Sequence, residues 1–378
     1  MSHGSPFLER SARAIRAREA KMRRRRRRRQ FGAAGVVLLA VAAAVFALSR
    51  TSTTHGSEAT STSTATHTSP GASHSAPNLS PAGLPLGRPP LTLTLAGIPH
   101  DGGQAGEVGT SGGEGVVQVA FHYPPRAGLL FNLDNGKVLW QLNPHTHLHI
   151  ASLTKMMTAL RVVRSSTPDE GVLVTKQAVN SAGSKVGVLP LGRHVRLETM
   201  LYGLLLPSGN DAAMALAQHV SGTASAFVQS MNQEAARLGM GCTHYTSPSG
   251  YTDARNYSCA ADLAELAHMD LEQPRIAHIV RTYKAALPFP IKGGKLYLYN
   301  NNPLLIYGYP GTTGMKTGYT ELAGKCLVAT AERDGVRLGV VLLNSPNPGT
   351  QASTLLNDGF EDFYDLPKES EPPIPDTE

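Results

Sequence analysis

One stretch of the chain, residues 31–48 (FGAAGVVLLAVAAAVFAL), is apolar and carries no charge. As a helix its eighteen residues would span about 27 Å, close to a bilayer core. Seven arginines at positions 23–29 stand directly before it. The positive-inside rule keeps such a block in the cytoplasm and sends the following chain across. Residues 31–48 are therefore predicted to be a transmembrane signal-anchor behind a basic cytoplasmic tail, residues 1–30. A cleaved signal peptide is the alternative, and both exports place the remainder outside the cytoplasm. Residues 51–70 hold 13 Ser/Thr among 20. No sustained apolar period follows until about position 115, so residues 49–114 are predicted to be a flexible linker.

Beyond the linker the pattern becomes that of a folded body, residues 115–365. Residues 116–121 and 127–131 run apolar or alternate as strands do. Asp134-Asn135-Gly136 is a hairpin turn, and 137–141 returns as the next strand. From Ser152 the period changes: Met156, Met157, Leu160 and Val163 line one helical face. Further helices are predicted over 197–206, from about 210 to 220, over 224–238 and over 262–268. Pro207-Ser208-Gly209 breaks the first two apart. Strands return at 295–298 and then as a hairpin, 325–333 and 336–343, turned at Asp334-Gly335. Residues 351–363 close the body as a helix. The order strands, helices, strands, helix predicts a mixed α/β domain whose sheet is assembled from both ends of the sequence. The acidic tail 366–378 is predicted to be disordered.

Charge changes the picture in one respect. Residues 1–50 contain 13 Lys/Arg against 2 Asp/Glu, whereas residues 51–378 contain 22 against 26. The net +7 of the chain thus belongs to one terminus, and a nucleic-acid partner is not predicted. His145, His147 and His149 alternate, but no carboxylate or cysteine stands close by in sequence, so surface or core histidines are predicted and no metal.

The candidate chemistry begins at Ser152-Leu153-Thr154-Lys155. At i and i+3 the serine and lysine share one helix face. A serine hydroxyl is a weak nucleophile unless a nearby base takes its proton, and lysine is such a base only when its pKa is lowered. The helix start also offers the Ser152 amide as an oxyanion donor. Ser208-Gly209-Asn210 lies in a polar break between apolar helices and presents a hydroxyl and an amide. Lys316-Thr317-Gly318 precedes a strand region and could hold a peptide's terminal carboxylate. A second lysine in the same cleft would help keep Lys155 neutral.

S-x-x-K, S-G-N and K-T-G in this order, with flanks ASLTKMMTA, LLLPSGNDAA and GMKTGYTELA, resemble the serine D-Ala-D-Ala carboxypeptidases, the low-molecular-mass penicillin-binding proteins. The resemblance spans residues 116–363. It implies a penicillin-binding-protein/β-lactamase-like fold, a five-stranded antiparallel sheet flanked by helices plus a helical subdomain. It implies a serine-type carboxypeptidase that removes the terminal D-alanine of peptidoglycan stem pentapeptides, in peptidoglycan biosynthesis, with β-lactams as covalent inhibitors. Residue by residue, Ser152 is the implied nucleophile, Lys155 its base and Ser208 the proton relay. Asn210, Lys316, Thr317, Gly318 and Tyr319 are the implied substrate-binding residues, the Tyr319 amide completing the oxyanion hole with that of Ser152. No cofactor is implied. The implied partners are the stem peptide, β-lactams and, through the N-terminal helix, the membrane.

The rival activities share the signatures. A D,D-endopeptidase or transpeptidase differs only in leaving group or acceptor. A β-lactamase needs a deacylating glutamate, and Glu234, Glu265 and Glu272 do not stand in the pattern of that class. A catalytically dead scaffold would have no use for Ser152, Lys155 and Lys316 together. Cys242 and Cys259 could form a disulfide or stay free, while Cys326, in an apolar strand, is predicted to be a buried thiol.

Overall fold

The structure is a computed structural model that describes residues 91–95, 114–251, 254–291 and 293–366. The chain divides into a unit of residues 1–79 and one of residues 80–378, and the described residues all belong to the second. The predicted basic tail 1–30, the apolar run 31–48, most of the linker 49–114 and nearly all of the tail 366–378 lie outside them. The expected transmembrane helix is corrected accordingly: no helix among the described residues is long and apolar enough to cross a membrane.

A seven-stranded sheet is built on five long strands, β1 (Ala127–Asn132), β2 (Lys137–Leu142), β3 (Thr312–Thr320), β4 (Gly324–Arg333) and β5 (Val336–Leu343), with the two-residue strands Thr94–Leu95 and Glu114–Gly115 both pairing with β2. The order of the five is β2–β1–β5–β4–β3, and every pairing among them is antiparallel. The two ends of the body's sequence therefore meet at β1 and β5, as the strand–helix–strand order predicts. The β1–β2 turn forms because Asn132 Oδ1 accepts from the amides of Asp134 and Asn135 and Gly136 takes a φ of +72°.

Alternation along the strands feeds two cores. Leu129 and Phe131 of β1 and Val341 and Leu343 of β5 point to the helical side. Leu130, Val340 and Leu342 point to the other, which α7 (Pro348–Asp358) covers with Ala352, Leu355 and Leu356. On the helical side lie α1 (Thr154–Ser165), α2 (Leu197–Leu205), α3 (Asn210–Ser221), α4 (Ala224–Arg237), α5 (Ala260–Leu271) and α6 (Pro274–Val280). Eight of the twelve residues of α1 are buried, Lys155 among them. It is the central helix, so its first turn is held on several sides at once.

The structure departs from the predicted elements in several places, among them Thr94–Leu95, which lies in the predicted flexible linker but pairs in parallel with Lys137–Val138. Residues 116–121 are not a strand: only Glu114–Gly115 pairs with β2, after which Val117 and Val119 bury against Trp140 and Phe121 meets its ring edge-on at 6.1 Å. Their apolar pattern records burial on the sheet face rather than membership in it. The strand at Lys295–Tyr299 has a partner the pattern did not show, Lys284–Pro288. Gly171–Leu173 and His194–Arg196 form a further small ladder. The last helix starts at Pro348, which fits a first helical turn because its missing N–H would have no partner there.

Candidate active site

Ser152 sits in a 3-10 turn, Ala151–Leu153, that runs directly into α1. Ala151 reaches a φ of +47°, a conformation a side chain rarely adopts, and this redirects the chain from Ile150 into the turn. One turn on, Lys155 Nζ lies 2.7 Å from Ser152 Oγ and donates to Ser249 O at 3.0 Å. Lys155 is fully buried. Burial holds its pKa well below the usual lysine value, the nearby Lys316 ammonium pushes the same way, and Asp211 opposes both. The lysine is thereby suited to accept a proton.

Lys316 comes from β3, the edge strand of the five. It is 1% exposed, and burial brings its pKa down to about 7. Its Nζ donates to Thr317 O at 2.9 Å. The same strand passes close against the Ser152 turn at Gly318. A Cβ there would stand 2.9 Å from Ile150 O, 3.2 Å from Ser152 N and 3.3 Å from Ala151 Cβ. Only glycine lets the strand come this near. Thr317 is half-buried, and Tyr319 is 65% exposed at the rim.

The third group lies between α2 and α3. Ser208 takes a φ of +65°, is buried, and its Oγ has no hydrogen-bond partner among the described residues. Asn210, the first residue of α3, donates from Nδ2 to Ala182 O at 2.6 Å, and its Oδ1 is likewise buried and unpartnered. Orphaned buried acceptors are costly, so such atoms point to a ligand or water that completes them. Serine, lysine and the K-T-G strand are thus drawn together by close contacts. Ser208 and Asn210 make no hydrogen bond to them.

Sequence reading missed the residues that hold this arrangement. Ser249 supplies the carbonyl that fixes Lys155, and Thr158 Oγ1 donates to Pro248 O at 2.7 Å. Asn256 Nδ2 donates to Thr154 Oγ1, which itself donates to Ala151 O. Gly250 lies so close to the Ser152 turn that a Cβ would meet Ala151 O at 2.0 Å. Asp211 accepts from the amides of Val186 and Gly187 and ties that loop to α3. The turn composition Ser247-Pro248-Ser249-Gly250 was the one available signal.

Cys242 and Cys259 form a disulfide, and Cys326 is free and buried, its thiol pushed up to about 12 by burial. Contrary to the spacing argument, cysteines do stand beside the alternating histidines. A His145 ring nitrogen lies within 4.8 Å of both disulfide sulfurs. Sulfurs bonded to each other are not thiolate ligands, so this proximity makes no metal set in the oxidised protein.

Residues 122–347 match the sequence model of the D-alanyl-D-alanine carboxypeptidases, peptidase family S11. The chain belongs to this family. It is 33% identical over 252 residues to the D-alanyl-D-alanine carboxypeptidase DacF of Bacillus subtilis, covering 64% of each chain. It is 35% identical over 245 residues to DacB2 of Mycobacterium tuberculosis, covering 63% of this chain and 82% of that one. Among solved structures, a variant of the DD-transpeptidase of Streptomyces K15 superposes with a TM-score of 0.60 at 30% identity, over 64% of this chain and 99% of that one. The fold is the penicillin-binding-protein/β-lactamase-like one that the motifs implied, and the family is that of the serine-type D-alanyl-D-alanine carboxypeptidases. The chain spans a little under two thirds of the length of the Bacillus relative.

Proposed function

We propose that the chain is a D-Ala-D-Ala carboxypeptidase that removes the terminal D-alanine of stem pentapeptides through an acyl-enzyme on Ser152. The observation that carries this reading is the buried Lys155 amine, 2.7 Å from Ser152 Oγ and depressed by burial and by Lys316. Uncharged, Lys155 takes the Ser152 proton as Oγ attacks the carbonyl of the penultimate D-alanine. The oxyanion is received by the amides of Ser152 and Tyr319, a pairing that the close approach of Gly318, the residue before Tyr319, to the Ser152 amide supports. Ser208 relays a proton to the departing D-alanine nitrogen, and the orphaned state of its Oγ supports that assignment. The unpaired Asn210 Oδ1 accepts from a substrate amide. Lys316 and Thr317 hold the free carboxylate, and a carboxylate arriving beside Lys316 raises that lysine's pKa and charges it. Water then hydrolyses the ester. A β-lactam mimics the dipeptide and leaves a slow acyl-enzyme.

Residues 115–365 form the catalytic body in this reading, and it works outside the cytoplasm. The substrate class and the Cys242–Cys259 disulfide, which needs an oxidising compartment, support that placement. The name of the Streptomyces relative keeps transpeptidation as the second reading, since only the acceptor differs. The test is D-alanine release from a soluble peptide ending in D-Ala-D-Ala. Release that Ser152→Ala abolishes, together with its covalent penicillin labelling, is expected. Rapid β-lactam turnover without D-alanine release would overturn the proposal.

A further inference from the structure

Outside the cleft, the hairpin Lys284–Pro288 with Lys295–Tyr299 carries an unusual outer face. Alternation sends Leu296 and Leu298 inward, where they are buried, and turns Lys295, Tyr297 and Tyr299 outward. Opposite them in register stand Pro288, Ala286 and Lys284, all exposed. Tyr297 and Tyr299 are 65% and 57% exposed, and Tyr283, 44% exposed, meets the Tyr299 ring edge-on at 6.5 Å. Three tyrosines so arranged make one aromatic row, with Lys284, Lys295 and the exposed Arg281 around it. Clustered exposed aromatic rings, unlike apolar side chains scattered singly, are candidates for a binding surface.

The row leads to the active site. Pro288 O accepts from Thr199 Oγ1 on α2, so the hairpin lies on the helix that ends at the S-G-N break. Beyond Tyr299, Asn300 N donates to Tyr283 O and Asn301 N donates to Leu206 O, two residues before Ser208. The tyrosines therefore start next to the cleft and run away from it, along the hairpin, on a buried and bonded support.

We propose that this face binds the glycan strand from which the stem peptide hangs. The proposal rests on the peptidoglycan reading above and adds a second contact to it. Tyrosine rings are flat, amphipathic and low in conformational entropy, so they suit the apolar faces of pyranose rings while the hydroxyls reach sugar oxygens. Along one strand, alternate residues such as Tyr297 and Tyr299 advance by about 6.8 Å, which presents successive rings to successive parts of an extended polymer. The three cations complement an acidic polymer whose sugars carry lactyl groups and whose peptides carry carboxylates.

The test uses the full chain and two insoluble ligands, intact peptidoglycan sacculi and glycan strands stripped of peptide by an amidase. Both should retain the protein. Tyr297→Ala/Tyr299→Ala should lower retention on both by about tenfold, as loss of two aromatic anchors does. Tyr297→Phe/Tyr299→Phe should keep most of it. Lys295→Glu should weaken retention on the stripped strands, whose lactyl carboxylates are then free. All these variants should release D-alanine from a short soluble peptide at the parental rate, which also shows that they fold. Failure of stripped glycan to retain the parent, or equal retention by the double alanine variant, would overturn the proposal. Absence of D-alanine release by the parent would instead sink the catalytic reading, with glycan retention still measurable.

Discussion

Gly318→Ala tests the cleft without removing any reacting group. The added Cβ would lie 2.9 Å from Ile150 O, 3.2 Å from Ser152 N and 3.3 Å from Ala151 Cβ. Ordinary carbon contacts start near 3.4 Å, and the atoms met first are backbone, which cannot swing aside. β3 must then withdraw from the Ser152 turn by roughly 0.5 Å. Overpacking of this kind costs about 1–3 kcal/mol of stability, a loss that thermal unfolding would register. The larger effect falls on chemistry. The Tyr319 amide moves with the strand while the Ser152 amide stays with α1, so the two donors no longer converge on one oxygen. Misplacement by an ångström can cost about a hundredfold, and loss of one oxyanion donor a hundredfold or more. A fall of about 10–100-fold in the rate of penicillin acylation is expected, read by intact mass, with D-alanine release falling in parallel. An unchanged acylation rate in a variant of normal stability would refute the assignment of Tyr319 N to the oxyanion hole.

Three other outcomes are expected. Burial sets Lys316 near 7, so in the free enzyme it loses its charge as pH rises through that value. KM for the peptide should therefore climb above pH 7, by up to about tenfold per unit until the bound-state pKa is reached, and a flat KM from pH 6 to 9 would exclude Lys316 as the carboxylate ligand. Reduction of the Cys242–Cys259 bridge, with its sequence separation of 17, should lower stability by about 3 kcal/mol in denaturant melts, and melts that coincide with and without reductant would contradict this. Glu265 is raised to about 7, mainly by burial, although it accepts from Leu91 N. Its folded pKa lies above its unfolded one, so its contribution is present in acid and lost as pH rises from about 4.5 to 7. Glu265→Gln should flatten that part of the stability profile by on the order of 1–2 kcal/mol, and an unaltered profile would show that Glu265 is not its source.

The parts of the protein legible in its sequence are those set by local spacing. Ser152 and Lys155 share a helix turn, so their contact follows from the helical period alone. The hairpins around Gly136 and Gly335 and the apolar face of α1 are of the same kind. What stayed hidden depends on backbone groups met at long range. Ser249 acts through its carbonyl, which any residue carries, and Asn256 reaches Thr154 from 102 positions away. Residues 116–121 show the converse: an apolar alternation identical to that of a strand serves to cap the sheet around Trp140. The neighbourhood of His145 and the disulfide was hidden for the same reason, since 97 positions separate His145 from Cys242.

The pH dependence of Ser152 acylation by penicillin bears most directly on whether Lys155 is an uncharged base. Burial and Lys316 together hold its pKa well below that of an ordinary lysine. Acylation should already run at its full rate at pH values where an ordinary lysine is still fully charged, with its midpoint well below the ordinary lysine value. A rate that rises tenfold per pH unit through neutrality and levels off only near pH 10 would mean that Lys155 is charged at neutral pH, and would contradict its role as the base.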